Sequence, residues 1–255
     1  MSDELSVRCA IDGPVATVTI DRPERHNGMT AAMVVAAYDV LWDLTGRPDV
    51  RIVVLTGSGD RFFCPGADLE GRPSEERLPD SRYFRVPVML HEMPQLTIAA
   101  INGSVAGAGL GWACACDLRV AAASARFATA FLDVGVAGDM GLPWSLSRIV
   151  GPARARELFM LGGRFGAERA LQLGLVSAVH ADGSFRDEVA ATVQRLAGAA
   201  PSALRALKAN FVAAERMGFS DYLDVETERH MRLVRGAEFR EGTRAFAEHR
   251  PPRFG

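Results

Sequence analysis

The 255-residue sequence predicts an α/β fold in which a β/α core, residues 1–180, is followed by a C-terminal helical region, residues 181–255. Three observations carry this reading. Short β-branched runs alternate with helical patterns through the first part of the chain. From about Gly141 helix follows helix, interrupted by a strand-like GLVSAV at 174–179. Hydrophobic residues make up 48 % of the chain and the mean hydropathy is +0.06, enough for a large buried core.

In order, SVRCAI and VATVTI alternate in polarity around DGP, a turn signal, and predict a hairpin. DRPERHNGM reads as a polar loop, after which Thr30 can cap a helix over 31–44. VRIVVLTG is a buried-strand pattern ending at Gly57. FFCPGADL follows, and then EGRPSEERLPDS, Glu70–Ser81, which is charged, Pro-containing and poor in apolar residues, as in a mobile loop. Order is expected again as a helix over 82–93, a strand over 96–101, a Gly-rich turn and a helix ending at Cys116. Strands are expected near 118–122 and 125–128. Seven further helices are expected, over 143–150, 153–161, 167–173, 185–199, 202–216, 221–235 and 238–248.

With 29 Lys and Arg against 31 Asp and Glu, the net charge is −2 and evenly mixed, so no nucleic-acid partner is expected. The opening MSDELSVRCAIDG lacks a basic start followed by an apolar run, which predicts no signal peptide. No stretch approaches the ~20 apolar residues of a membrane span. A soluble, cytoplasmic protein is the expectation. Cys9, Cys64, Cys114 and Cys116 are too few and too scattered for a disulfide framework, and buried reduced thiols are expected. No His, Cys, Asp or Glu spacing suggests a metal.

INGSVAGAGLGWACACDLRV, from Ile101 to Val120, poses a chemical question. A strand running through a Gly-rich turn into a helix offers backbone N–H groups to a developing oxyanion, yet Ile101–Cys116 holds no acid or base except thiols. Three stretches in this order, DRPERHNGM, VVLTGSGDRFFCPGADLE and TIAAINGSVAGAGLGWACACDLRVA, make the chain resemble the crotonase superfamily, the enoyl-CoA hydratase/isomerase family. FATAFLDVGVAGDMGLPWSLSRIVG and EFREGTRAFAEHRPPRFG extend the resemblance over essentially the whole chain.

The resemblance implies a crotonase-like spiral of ββα turns and an acyl-CoA thioester substrate, with no cofactor beyond the coenzyme A that the substrate carries. It also implies a homotrimer or dimer of trimers, built through the C-terminal helices. The N–H groups of Ala67 and Ala108 would hold the thioester oxygen, on turns that Gly66, Gly107 and Gly109 make possible. Pro65, Asp68 and Leu69 would lie beside the first donor, with Asp68 holding the loop, and Arg25 near the CoA phosphates.

The two glutamates of hydrating members are replaced here by Gly111 and Phe131. Without them a water can be neither positioned nor deprotonated in the usual way. Asp139, eight residues past Phe131, matches the catalytic Asp of isomerases in the superfamily, although the local PDxG reads GDMG, with Gly138 in place of Pro. One carboxylate suffices to move a double bond, because the same group can remove and return the proton. A dry pocket lined by Phe131 and Trp144 would tune it. Capping of the following helix is the competing role for Asp139. Asp133 is expected to be solvated or ion-paired. Trp112 and the 70–81 loop are further candidates for the acyl pocket.

The favoured reading is therefore double-bond isomerisation of an enoyl-CoA by Asp139. Hydration, and hydrolytic attack by Asp139 as in the related dehalogenases, are the alternatives on the same scaffold. A CoA- or RNA-binding relative without chemistry is the alternative from another class.

Overall fold

A computed structural model describes residues 6–69 and 80–254. Two parallel-rich sheets organise the N-terminal two thirds. The first has six strands in the order β1 (Val7–Asp12), β2 (Val15–Ile20), β3 (Ile52–Gly57), β5 (Leu96–Ile101), β7 (Leu118–Ala122) and β10 (Ala178–His180). The β1–β2 hairpin is antiparallel and every later pairing in this sheet is parallel. The second sheet runs β4 (Phe62–Cys64), β6 (Ser104–Ala106), β8 (Arg126–Ala128) and β9 (Phe165–Gly166). Its first three strands are parallel, so the chain leaves all three at the same edge.

The near-continuous apolar character of β3 and β5 follows from burial on both faces. Val53, Leu55, Ala99 and Ile101 point into the main core, beneath α1 (Ala31–Thr45), α2 (Val86–Glu92) and α3 (Gly107–Ala115). Their neighbours Ile52, Val54, Ile98 and Ala100 meet Phe185 and Val193 of α7 (Phe185–Ala197) on the other face. Thr30 caps α1, accepting from the Met33 N–H at 3.2 Å.

Helix α3 is buried along its whole length, and its run of small residues lets it enter the core. A Cβ on Gly109 would stand 2.4 Å from the Cys64 carbonyl oxygen, so strand β4 packs directly against the helix backbone. Helices α4 (Leu142–Val150), α5 (Pro152–Met160) and α6 (Ala167–Gln172) follow, and then α7, α8 (Pro201–Ala214), α9 (Phe219–Leu233) and α10 (Ala237–Ala247).

Each helix expected from 143 onward is present, within two residues at its start. Four differences concern strands and one concerns α2. Strands β4, β6 and β9 are two or three residues long, too short to leave a period in the sequence. GLVSAV is a strand only from Ala178, where the chain pairs with β7. The helix expected over 82–93 opens as a 3-10 turn, Ser81–Arg85, capped by Asp80, before Pro87 settles into the first turn of α2. The loop reading of Glu70–Ser81 lies, for 70–79, outside the described residues.

Among the described residues no helix is long and apolar enough to cross a membrane, and no group of three or more His, Cys, Asp or Glu could hold a metal ion. All four cysteines are free, but Cys9 is exposed, against the expectation of buried thiols, because β1 is the edge strand of its sheet.

Candidate active site

Three turns leave the common edge of β4, β6 and β8 and converge, as loops at the carboxyl ends of parallel strands do. The first, 65–69, bends at Gly66, whose φ of +107° a side chain would oppose. The Cys64 thiol steadies it, accepting from the Gly66 N–H at 3.4 Å. The second is the start of α3. Ala106 precedes it in extended conformation, Gly107 turns the chain at φ +50°, and no side chain caps the helix. Gly107, Ala108 and Gly109 are buried, so this helix N-terminus presents uncapped N–H groups away from water. The two turns touch: a Cβ on Gly66 would stand 3.2 Å from the Ala108 nitrogen.

The third turn follows β8 and ends at Asp139. It is wound through Gly138 at φ +138°, Met140 at φ +50° and Gly141 at φ +68°, so a non-Gly residue in the left-handed region sits directly after the carboxylate. Asp139 is half-buried. Its Oδ1 accepts from the Met140 N–H at 2.6 Å and its carbonyl from the Leu142 N–H at 3.0 Å. The side chain does not cap α4, whose N-cap is Gly141 with no side-chain hydrogen bond. Met140 is buried against α3. A Cβ on Gly111 would stand 2.7 Å from the Met140 Cβ and 3.5 Å from the Asp139 carbonyl oxygen. The Asp139 turn therefore rests on the α3 backbone three residues beyond Ala108.

The other expected site residues divide. Asp68 holds its loop through an ion pair with Arg22 at 2.7 Å, both side chains largely buried. Pro65 is exposed, and Leu69 is 55 % exposed at the end of the turn. Arg25 is exposed in the 3-10 turn Pro23–Arg25, and its carbonyl would be 3.1 Å from a Cβ on Gly28, with the Asp68 Cβ at 3.6 Å. It thus lies beside the first turn. Asp133 is exposed.

Phe131 and Trp144 make separate ring contacts. Phe131 is buried and stacks on Phe159 at 6.0 Å. Trp144 is 45 % exposed, with the Arg148 guanidinium 3.7 Å from its ring centre and His91 edge-on at 5.5 Å. Trp144 and His91 border a cavity of about 200 Å3, with Met140 and Gly141 forming its wall toward Asp139. Trp112 is a core residue. Larger grooves of about 500 and 510 Å3 lie over β2–β3 beside α7 and between α8 and α9, but neither is lined by Ala67, Ala108 or Asp139.

Sequence reasoning left two features without a role. His91 has a partner, Glu215, 2.8 Å from its Nε2, which a separation of 124 positions hides. Asn27 is fully buried beside the first turn, and its place in DRPERHN was the available signal.

A profile of the family described as "Enoyl-CoA hydratase/isomerase" matches residues 10–255. The chain belongs to the enoyl-CoA hydratase/isomerase family. It is 36 % identical to a "Probable enoyl-CoA hydratase" of Rhodobacter capsulatus, over 98 % of this chain and 97 % of that protein. It is 33 % identical to the "1,2-epoxyphenylacetyl-CoA isomerase" of Escherichia coli, over 96 % of each. The crystal structure of a "putative enoyl-CoA hydratase" from Streptomyces coelicolor superposes with a TM-score of 0.93 at 33 % identity, covering 100 % of this chain and 96 % of that one. The crotonase fold expected from the motifs is thereby shown, and the chain is an acyl-CoA enzyme of the enoyl-CoA hydratase/isomerase family.

Proposed function

We propose that the protein isomerises the double bond of an enoyl-CoA, holding the thioester oxygen at the Ala67 and Ala108 N–H groups and moving the proton with Asp139. The observation that carries this reading is the contact of the Asp139 turn with Gly111. Where the resemblance puts a glutamate in hydrating members, Met140 fills the space, and the Asp139 backbone lies against the same helix.

With a 3-enoyl thioester, the Asp139 carboxylate takes a proton from C2, and the electron pair moves through the carbonyl carbon onto oxygen. Two backbone donors stabilise that charge without reorganising. The protonated Asp139 then returns the proton to C4, the double bond forms between C2 and C3, and the carboxylate is regenerated. No water is consumed.

Purified wild type and Asp139→Asn, each given 2-enoyl- and 3-enoyl-CoA in deuterated buffer, test this by mass spectrometry. Double-bond migration with deuterium at C2 or C4, lost in the variant, is the expected result. A β-hydroxyacyl product that persists in the variant would overturn it in favour of hydration. Binding of acyl-CoA without exchange or turnover would point to a relative that has lost the chemistry.

We also infer a homotrimer or dimer of trimers. Phe211, Phe219 and Phe246 on α8, α9 and α10 are 67, 80 and 84 % exposed, an apolar surface that a single chain leaves in water. Light scattering of the purified protein decides it, and a monomeric mass would exclude it.

A further inference from the structure

The first oxyanion donor is held by a structure that begins some forty residues earlier in the chain. Asn27 is fully buried and uses its whole amide. Its Oδ1 accepts from the Arg22 N–H at 3.0 Å and from the Ser58 hydroxyl at 3.0 Å. Its Nδ2 donates to the carbonyls of Ser58 at 3.0 Å and Phe62 at 2.8 Å. One side chain thus ties the end of β3, the start of β4 and the loop of residues 22–28 together. Its own backbone is left-handed, φ +62°, a conformation that Asn tolerates better than most residues.

Two residues on, Met29 meets the oxyanion turn. Its N–H donates to the Gly66 carbonyl at 2.9 Å, its carbonyl accepts from the Asp68 N–H at 2.9 Å, and Met29 and Ala67 pair in parallel register. The Gly66 carbonyl and the Ala67 N–H belong to one planar peptide, in which they point in opposite directions. Holding the carbonyl therefore fixes where the N–H aims and polarises it further. Arg22 closes the loop from the other side, bonding the Gly28 carbonyl at 3.1 Å and Asp68 at 2.7 Å.

We propose that Asn27 is a positioning residue for catalysis. By fixing the loop that carries Met29, it sets the direction of the Ala67 N–H toward the thioester oxygen. This rests on the oxyanion hole proposed above. Asn27 acts through the Met29–Gly66 hydrogen bond and touches no substrate, so its loss weakens stabilisation of the transition state more than it weakens binding.

The test uses 4-(dimethylamino)cinnamoyl-CoA, a push–pull thioester whose absorption band moves to longer wavelength when donors hold its carbonyl oxygen. Band position and Kd are measured for wild type, Asn27→Ala and Ser58→Ala, with kcat and KM on the enoyl-CoA that wild type turns over, and with thermal melts. For folded Asn27→Ala the expected result is a band returned most of the way to its position in water. Kd and KM should lie within a few fold of wild type and kcat should fall roughly 10²-fold. Ser58→Ala, which removes one of the two bonds to Oδ1, should give a partial loss in both.

A folded Asn27→Ala with wild-type band and kcat overturns the proposal. If Asn27→Ala does not fold, Ser58→Ala and Arg22→Met carry the decision, and wild-type bands and kcat in both overturn it. If wild type itself leaves the band unmoved, the oxyanion hole is wrong and this inference falls with it. That failure is read in a different protein sample from the first.

Discussion

Met140 occupies the space that a side chain on Gly111 would need. A Cβ there would stand 2.7 Å from the Met140 Cβ and 3.1 Å from its carbonyl oxygen. A carboxylate at 111 therefore requires the Asp139 turn to shift. Gly111→Glu restores the residue type of a hydratase at that position, but should not restore hydration. It should displace the strained turn of Gly138–Gly141, lower the proposed isomerisation by roughly 10²-fold or more and cost about 1–3 kcal/mol of stability by overpacking. Product analysis by mass spectrometry and urea denaturation read both effects. A β-hydroxyacyl product formed faster than by wild type would show that the turn yields to the new carboxylate.

The buried thiols give the protein an alkaline limit. Burial pushes Cys64, Cys114 and Cys116 each up to about 12 from an ordinary value of 9.0. The folded chain thus keeps protons that the unfolded chain releases. The stability this adds is fully present below pH 9 and is lost as the pH rises from 9 toward 12, at about 1.4 kcal/mol per pH unit for each thiol. Denaturation midpoints measured across that window should fall steeply. A thiol reagent at pH 8 should modify one cysteine, the exposed Cys9, in the folded protein and all four in denaturant. Rapid modification of a second thiol in the folded state would contradict the packing of α3.

The turns of the candidate site were legible because they are written in backbone-forming residues. Gly66, Gly107 and the CPGADL and VAGAGLG turns mark where the chain must bend, and the fold does bend there. Of the second sheet only β8, expected near 125–128, was legible. Phe62–Cys64, Ser104–Ala106 and Phe165–Gly166 are shorter than one full alternation, and they exist because β4, β6 and β8 find one another across the fold. The ring partners of Phe131 and Trp144 were hidden for a similar reason. An aromatic residue in a sequence says that it will bury area, but not on which side of its loop, and Phe131 found Phe159. Asn27 reads as one more polar loop residue until its four hydrogen-bond partners, spread from Arg22 to Phe62, are seen together.

Lys208 fastens α8 to the core. Its buried Nζ donates to the carbonyls of Leu90 and Gln95 at 3.0 and 2.8 Å and meets Asp117 Oδ2 at 2.8 Å, just beyond the end of α3. Burial pulls its amine below the usual lysine range, and Asp117 pulls the other way. Lys208→Met leaves a carboxylate and two carbonyls in the interior without their cation, and should cost about 3–5 kcal/mol. Adding Asp117→Asn should recover part of that loss, since the uncompensated charge is removed. Urea denaturation of the single and double variants measures it, and a loss under 1 kcal/mol in the single variant would mean that solvent reaches the site.

Gly66 and Gly13 separate backbone strain from damage to the site. Both have positive φ, +107° and +52°. A Cβ on Gly13 would meet nothing within 4 Å, whereas one on Gly66 would stand 3.2 Å from the Ala108 nitrogen and 3.4 Å from the Ala106 carbonyl oxygen. Gly13→Ala should therefore cost about 1 kcal/mol in left-handed strain and leave kcat unchanged. Gly66→Ala carries more strain, because φ +107° lies outside the left-handed well that Gly13 occupies, and it also forces apart the two turns that carry Ala67 and Ala108. Its kcat should fall roughly 10²-fold with a smaller change in KM, because a misplaced donor is lost chiefly from the transition state. Steady-state kinetics beside melting curves distinguish the two. Equal kcat in both variants would mean that the turns carrying Ala67 and Ala108 do not act together on one oxygen.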